Sequence, residues 1–200
     1  AFKPSVLLVV PRVLEKVYNA ASSKAGGGIK GRMFAWSAKQ ARTYSIASEK
    51  TFGPGIFKKM RHGIADALVL KKIRAILGPN LRYIVSGGAP LATDLAHFYA
   101  GMSITLIQGY GLSETTGPIA VQHIGKNPVG GVGLPLPGNF ITIAKDGEIL
   151  VRGQSVMPGY YHLPEQTAEV MPDGKWFHTG DLGAIDRKGQ LTITGRKKEL

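Results

Sequence analysis

The sequence predicts an α/β fold in which a parallel βαβ sheet layer is followed by antiparallel hairpins. Up to residue 118, short apolar runs alternate with segments whose apolar residues recur at helical spacing. Beyond that point, short strand-like runs are separated by turn sequences. The composition agrees, because 44% of the 200 residues are hydrophobic and 19% are charged, a balance that allows a buried core and excludes intrinsic disorder. The sequence has no cysteine, which excludes disulfides, thiolate nucleophiles and cysteine-ligated zinc within these residues.

The N-terminal part predicts one strand and a series of helices. Residues 6–10 form a wholly apolar run rich in valine, which is typical of a strand buried on both faces. A helix is predicted to begin at Pro11, where the missing N–H of proline costs little. Glycine and proline breakers divide the following chain into three predicted helices, over residues 11–25, 32–46 and 64–77.

A βαβ unit is predicted next. Residues 82–86 and 103–108 have the apolar pattern of strands, and residues 91–101 between them have that of a helix. Such units are right-handed and place their two strands in parallel. Each strand is followed by a glycine-rich segment, at residues 87–90 and 109–111. Because ligands of open α/β sheets bind beyond the carboxyl ends of the strands, we expect these two loops to lie side by side as walls of one binding slot.

The last part of the sequence predicts two β-hairpins. In each, two apolar runs flank a short turn that contains Asp and Gly, which is a strong hairpin signal. The paired runs cover residues 140–144 with 148–151, and residues 178–185 with 191–194. We therefore expect an α/β subdomain over residues 1–118 and an antiparallel β-rich subdomain over residues 119–200.

Positive charge is concentrated at the N-terminal side. Residues 1–82 contain 16 Lys and Arg against 3 Asp and Glu, a net charge of +13, whereas residues 83–200 contain 9 against 10, a net charge of −1. Two explanations of this excess stay open. The cations lie on solvated helix faces, or they form a surface that meets phosphorylated metabolites, nucleic acid or an acidic membrane. No nucleic-acid-binding motif accompanies the charge.

Several common sites are absent from the sequence. It contains no GxxxxGK[ST] phosphate loop and no Gly-x-Ser-x-Gly nucleophile elbow. A dinucleotide-binding pattern begins at Gly131-Val132-Gly133, but Leu136 stands where its third glycine belongs, and we predict no helix after it. The five histidines are too far apart to predict a metal centre.

Four glycine-rich polar segments remain, and their combination suits a nucleotide. Their positions are residues 86–91, 108–117, 176–183 and 195–199. Glycines let the backbone approach a base or a phosphate, and Tyr110 can stack on a purine. Ser113 can donate to a phosphate oxygen, and Glu114 can bind Mg²⁺, which takes one or two protein carboxylates together with substrate phosphates. Asp181, which we expect in a turn, can accept the two ribose hydroxyls, and Arg196 can add a donor.

In these segments the sequence resembles the adenylate-forming superfamily of acyl-CoA synthetases, luciferases and peptide-synthetase adenylation domains. The resemblance covers essentially the whole chain. Its motifs stand in the family's order, with YGLSET at residues 110–115, GEILVRG at 147–153, GYY at 159–161, TGD at 179–181 and GRKKE at 195–199. The opening, VPRVLEKVYN at residues 10–19, is most similar to long-chain fatty acyl-CoA synthetases.

The resemblance implies part of the large N-terminal domain of an ATP-dependent acid–thiol ligase. In such an enzyme the carboxylate of a fatty acid attacks the α-phosphorus of Mg²⁺-bound ATP, which gives acyl-AMP and pyrophosphate. The thiol of CoA then displaces AMP. Neither step needs a side-chain nucleophile, because the transfer depends on positioning and on neutralising the phosphate charge.

Site residues are also implied by the resemblance. It assigns adenine contacts to Gly88, Ala89 and Pro90 on one side and to Gln108, Gly109 and Tyr110 on the other. The catalytic set would be Ser113 at the phosphate, Glu114 at Mg²⁺ and Lys198 at the hinge about which a small C-terminal domain swings. Asp181 and Arg196 would hold the ribose.

Two parts of the family's enzymes have no counterpart in the sequence. The phosphate loop would precede residue 1, and the C-terminal domain with its adenylation lysine would follow residue 200. We therefore expect a central fragment that has negligible ligase activity by itself. We also expect a cytoplasmic location, with no nucleic-acid partner and with peripheral membrane contact through residues 1–82. Two alternatives stay open, namely the adenylation of an aryl or amino acid and a basic nucleic-acid-binding module. The motifs do not determine the acyl chain length or the oligomeric state.

Overall fold

The computed structural model describes residues 3–125 and 128–197. The chain divides into two compact units, one formed by Ala1–Ile107 with Ile124–Gly130 and the other by Gln108–His123 with Gly131–Leu200. Each unit has a hydrophobic core of its own. Among the helices of the described residues, none combines the length and the apolar character needed to span a membrane.

The first unit pairs parallel strands with several helices. Strand β1 (Val6–Val9) lies parallel to β2 (Tyr83–Ser86), with Val6 opposite Tyr83 and Val9 opposite Ser86. The amide of Thr105 donates to the carbonyl of Arg82 at 3.1 Å, so β3 (Thr105–Leu112) begins beside β2. The helices are α1 (Pro11–Ala25), α2 (Gly28–Ser48), α3 (Ile56–Ala65), α4 (Lys71–Leu77) and α5 (Thr93–Ala100). The βαβ order β2–α5–β3 agrees with the sequence.

The burial of β1 differs from the prediction. Leu7 and Val9 pack against the core, but Leu8 on the other face is 78% exposed and Val6 is also exposed. Successive side chains of a strand point to opposite faces, and in this unit only one face of β1 is covered. The prediction that this strand is buried on both faces is therefore wrong for the first unit.

Two of the helices are longer than predicted. Helix α2 begins at Gly28 instead of residue 32, and the third predicted helix begins at Ile56 instead of residue 64. That third helix is continuous, because one π-helical turn (Asp66–Leu70) joins α3 to α4. The first turns of α3 are exposed, so their apolar residues do not form the core-facing stripe from which a helix is recognised.

The core of the first unit is centred on α5. Phe98 and Tyr99 are fully buried, and the hydroxyl of Tyr99 donates to the carbonyl of Leu14 at 2.8 Å, which ties α5 to α1. A Cβ on Gly101 would collide with the backbone of Ala41, so the end of α5 approaches α2 more closely than a side chain allows.

The second unit begins within β3, which is longer than predicted. The sequence predicts a loop at residues 109–111, but β3 continues to Leu112 and pairs in antiparallel fashion with β4 (Gly117–Val121). A bulge lies between Tyr110 and Gly111. A Cβ on Gly111 would collide with the backbone of Gly117, so glycine here permits close strand pairing and does not mark a loop. Strand β5 (Leu134–Pro135) pairs with β4.

The rest of the second unit is an antiparallel sheet of β6 (Asn139–Ile143), β7 (Glu148–Gly153), β8 (Phe177–Ile185) and β9 (Leu191–Arg196), in that order. Both predicted hairpins are confirmed, as β6–β7 and β8–β9. Helix α6 (Pro164–Val170) lies between β7 and β8 in the chain. Ile149, Val151 and Leu191 are fully buried beneath this sheet, together with Ile119 of β4. A sheet with parallel strands followed by an antiparallel sheet confirms the predicted fold class.

Candidate nucleotide-binding site

The predicted site residues fall in both units. Three of them, Gly88, Ala89 and Pro90, follow β2 in the first unit. The second unit contains Gln108, Gly109, Tyr110, Ser113, Glu114, Asp181 and Arg196. Lys198, the predicted hinge residue, lies outside the described residues. The prediction that the segments after Ser86 and Gln108 form two walls of one slot stays a prediction.

In the first unit, the segment after β2 is open to solvent. Gly88, Ala89 and Pro90 are exposed, and Gly88 has a φ of 79°, a conformation that favours glycine. Ser86, immediately before them, is buried, and within the described part of the chain its Oγ has no hydrogen-bond partner. The exposed backbone of residues 88–90 is thus available at the carboxyl end of β2.

A hydrogen-bonded group of three side chains links β3, β8 and β9 in the second unit. Asp181 is buried in β8 and stands directly opposite Arg196 of β9. Arg196 Nε donates to Asp181 Oδ1 at 2.8 Å, and the hydroxyl of Tyr110 donates to Asp181 Oδ2 at 2.7 Å. Three residues that the sequence places far apart therefore converge on one carboxylate.

Two predictions about this group change. Asp181 lies inside a strand, beside the bulge between Leu182 and Gly183, and not in a turn. Tyr110 is not at a loop tip, because it belongs to β3. Burial raises the pKa of the Tyr110 phenol, which therefore stays protonated at neutral pH and keeps donating to Asp181. Each carboxylate oxygen has two lone pairs, so Asp181 can accept further hydrogen bonds from a ligand.

Glu114 is held by one turn of 3₁₀ helix, Ser113–Thr115, between β3 and β4. Thr115, the last residue of the turn, is fully buried, and its Oγ1 accepts from the amide of Leu112 at 2.9 Å and lies 2.8 Å from the carbonyl of Gly117. This local bonding fixes the turn. Ser113 is left exposed and Glu114 half-buried, so both predicted ligand groups are accessible.

A loop after β7 supports the same turn, and the sequence analysis missed this contact. The hydroxyl of Tyr160 donates to Glu114 Oε1 at 2.9 Å, and the amide of Met157 donates to the carbonyl of Glu114 at 2.7 Å. Thr116 Oγ1 donates to the carbonyl of Ser155 at 2.9 Å. Desolvation and the neighbouring Glu114 raise the pKa of Tyr160, so its phenol remains a donor at neutral pH. Tyr160 belongs to the GYY motif that the sequence analysis noted, but nothing in the sequence identifies Glu114 as its partner.

Glu114 meets the requirement for one protein ligand of Mg²⁺. Its Oε1 is held by Tyr160, whereas its Oε2 makes no hydrogen bond within residues 3–125 and 128–197. No cluster of three or more His, Asp or Glu suited to a metal ion occurs in the described part of the chain. A single accessible carboxylate fits a Mg²⁺ ion that obtains its other ligands from phosphates and water.

A second ionic group surrounds the buried carboxylate of Glu148 in β7. Its Oε2 accepts from His178 Nδ1 and from Lys197 Nζ, both at 3.0 Å, and its Oε1 accepts from the amide of Gly180 at 2.9 Å. Burial acts to raise the pKa of Glu148, but the hydrogen bonds from His178 and Lys197 hold it below its usual range. Lys197 also pairs with Asp146 at 2.7 Å.

This ionic group is adjacent in sequence to two residues of the candidate site. Gly180 immediately precedes Asp181, and Lys197 immediately follows Arg196. By binding Gly180 and Lys197, Glu148 fixes the strand positions of Asp181 and Arg196. The sequence analysis included Glu148 in a motif without assigning it a role. Its partners are 30 to 49 residues away, which no local pattern can reveal.

Comparison with known proteins gives consistent results. A family model described as "AMP-binding enzyme" matches residues 1–161. A long-chain-fatty-acid–CoA ligase, FadD15 of Mycobacterium bovis, is 51% identical over 199 residues, covering 100% of this chain and 33% of the relative. Long chain acyl-CoA synthetase 3 of Arabidopsis thaliana is 35% identical over 217 residues, covering 100% of this chain and 31% of the relative. The chain thus spans about a third of the length of these relatives.

Solved structures show the same similarity. A fatty acyl CoA synthetase of Mycobacterium tuberculosis matches with a TM-score of 0.53 and 27% identity, covering 68% of this chain and 29% of that one. The O-succinylbenzoate coenzyme A synthetase of Bacillus subtilis, solved with ATP and magnesium, matches with a TM-score of 0.55 and 28% identity, covering 65% and 31%. Because the family model covers most of the sequence, the chain belongs to the AMP-binding enzyme family.

Proposed function

We propose that these residues form part of an ATP-dependent ligase that joins a fatty acid to CoA. In the first step a carboxylate oxygen of the acid bonds to the α-phosphorus of ATP, and the bond from that phosphorus to pyrophosphate breaks. In the second step the sulfur of CoA bonds to the acyl carbon of acyl-AMP, AMP leaves, and the thiol proton is released. The observation that supports this best is the buried Asp181 carboxylate, held by Arg196 and Tyr110 within a family-typical set of motifs.

The chain's own residues would orient the nucleotide. Asp181 offers fixed acceptor atoms to the two ribose hydroxyls, because Arg196 and Tyr110 already restrain both of its oxygens. A restrained acceptor loses little conformational freedom when the ligand binds. The ring of Tyr110 offers a flat face to the base. We also propose that adenine contacts Gly88, Ala89 and Pro90 on one side and Gln108 and Gly109 on the other.

Glu114 and Ser113 would act at the phosphates. Ser113 is exposed and can donate to a phosphate oxygen. Glu114 would hold Mg²⁺ through Oε2, with Tyr160 fixing the carboxylate through Oε1. The bound ion would neutralise phosphate charge as pyrophosphate leaves. Lys198 keeps its proposed role at the hinge.

The fatty-acid assignment is supported by relatives whose names specify long-chain fatty acids. The test is a substrate panel on the full-length protein, with AMP and pyrophosphate release as the readout. The panel contains fatty acids of several lengths, aryl acids and amino acids. We expect release with fatty acids, and Glu114→Gln to reduce it at least tenfold. Release with only an aryl or amino acid would contradict the substrate, and no release with any acid would contradict the ligase.

A further inference from the structure

Gln122 extends the pairing of β3 with β4 through its side chain, one residue beyond the end of β4. The register of the two strands ends where Gly109 stands opposite Val121. At the next position the amide of Gln122 donates to the carbonyl of Gln108 at 2.9 Å, as in a regular antiparallel pair. The return bond differs, because the amide of Gln108 donates to the side-chain Oε1 of Gln122 at 2.8 Å. That oxygen therefore takes the role of a main-chain carbonyl.

This pair of glutamines is buried and supported by a third segment of the second unit. Gln122 is 4% exposed and Gln108 is 7% exposed. A Cβ on Gly133 would collide with the backbone of Val121 and Gln122, so residue 133 packs directly against the peptide that joins them. The amide of Leu191 donates to the carbonyl of Gly133 at 2.9 Å, which ties this segment to the start of β9. The side chain of Gln122 is therefore held from a fixed backbone.

Both main-chain groups of Gln108 bind Gln122, so the side chain of Gln108 is the group left for a ligand. Within the part of the chain that the structure describes, this side-chain amide makes no hydrogen bond, and its atoms are not closed off from solvent. A primary amide offers a donor and an acceptor, which match a ring nitrogen and the amino group on the edge of adenine. The backbone that carries this amide is fixed by Gln122.

We propose that Gln122 is a positioning residue for adenine recognition, which acts by holding the backbone of Gln108. This inference rests on the proposed function, in which Gln108 contacts adenine. Without Oε1 of Gln122, the buried amide of Gln108 would lack a partner, and the strand would shift to give it one. The side chain of Gln108 would move with the strand. Gln122 thus influences the choice of base through Gln108 and not through a contact of its own.

The test measures the binding of ATP and of GTP to the full-length protein by isothermal titration calorimetry. Gln122→Met keeps the length of the side chain and removes the acceptor, so ATP affinity should fall about fivefold. GTP affinity should change little, because guanine has a carbonyl where adenine has its amino group. Gln122→Glu keeps an acceptor oxygen and should recover most of the ATP affinity. Equal losses for ATP and GTP would mean that Gln122 supports only the fold, and they overturn the inference.

A double variant shows whether Gln122 acts through Gln108. Gln108→Ala should lower ATP affinity by itself, and adding Gln122→Met should lower it little further, since coupled residues are not additive. Fully additive losses overturn the inference. The matched control is Gln190→Met, because Gln190 Oε1 accepts no hydrogen bond within residues 3–125 and 128–197, and this variant should bind ATP as the wild type does.

Hydrogen–deuterium exchange follows the amide of Gln108 without nucleotide or turnover. It should exchange faster in Gln122→Met than in the wild type and in Gln190→Met, and unchanged exchange overturns the inference. Circular dichroism checks folding, and Gln122→Asn, whose shorter side chain does not reach the amide, replaces Gln122→Met if that variant does not fold.

The results separate this inference from the proposed function. A protein that binds ATP but releases no AMP with any acid contradicts the ligase alone. If Gln108→Ala lowers ATP affinity and Gln122→Met does not, the adenine contact stands and the role of Gln122 is refuted. If Gln108→Ala leaves ATP affinity unchanged, both are refuted.

Discussion

The phenol of Tyr160 donates a hydrogen bond of 2.9 Å to Glu114 Oε1, across 46 residues of sequence. The contact joins the loop after β7 to the one-turn helix between β3 and β4. It leaves Glu114 Oε2 for a ligand and fixes the direction in which that oxygen faces. The orientation of the proposed Mg²⁺ ligand therefore depends on a residue outside the motif that contains it.

Tyr160→Phe removes this hydrogen bond and keeps the ring. A hydrogen bond of this kind contributes about 1 kcal/mol, so the Mg²⁺ concentration that gives half-maximal pyrophosphate release should rise about fivefold. Direct titration of Mn²⁺ with the ATP-bound protein should show the same change in affinity. Tyr161→Phe is the matched control, because Tyr161 is 87% exposed. If Glu114→Gln shifts the metal dependence and Tyr160→Phe does not, Tyr160 has no positioning role.

Asp181→Asn replaces the carboxylate that both Tyr110 and Arg196 bind. Hydrogen bonds to a charged group contribute about 1.5–3 kcal/mol, so ATP affinity should fall on the order of ten- to a hundredfold. Isothermal titration calorimetry measures it. Asp186→Asn, in the β8–β9 turn, keeps the Oδ1 acceptor for the amides of Lys188 and Gln190 and serves as control. Equal affinities for the two variants would remove Asp181 from the nucleotide site.

Substitution of Tyr110 separates its ring from its hydroxyl. Tyr110→Phe keeps the flat face and loses the bond from the hydroxyl to Asp181, so ATP affinity should fall about fivefold. Tyr110→Leu also loses the aromatic face and should cost about a further fivefold. Fluorescence titration with an ATP analogue compares the two. Equal losses would mean that the ring does not contact the base.

The charge of Glu148 should make stability depend on pH. The pKa of Glu148 is lowered in the folded protein, so its ionised form stabilises the fold above the ordinary glutamate pKa of 4.5. That contribution is lost as the pH falls from this value through the folded-state pKa. Glu148→Gln should cost about 1–3 kcal/mol at pH 7. Urea unfolding of both proteins at several pH values measures the difference, which should shrink below pH 4.5. A constant difference would contradict the ionic role.

Gly111→Ala tests the close pairing of β3 with β4. The added Cβ would collide with backbone atoms of Gly117, which cannot move without breaking the pairing. Overpacking of this kind costs about 1–3 kcal/mol, which urea unfolding detects. Gly195→Ala is the control, since its added Cβ would meet nothing within 4 Å. A Gly111→Ala protein as stable as that control would show that the two strands separate easily.

The sequence by itself determined the order of elements and the chemistry available. Turns such as Lys145-Asp146-Gly147 act locally, and the hairpin that depends on this turn is confirmed. The breaker Gly53-Pro54-Gly55 does separate two helices, although the second begins directly after it, at Ile56 and not at residue 64. The motif residues were recognisable for the same reason, because a loop that binds a nucleotide needs its residue types close together in the chain.

Only the tertiary structure decided which side chains meet. The pairs Tyr110–Asp181, Tyr160–Glu114 and Lys197–Glu148 join residues 46 to 71 positions apart, and such pairs arise from strand register and loop packing instead of local pattern. The strand character of residues 109–111 was hidden for a related reason. Glycine there serves the close approach of β4, a neighbour that the local sequence does not specify.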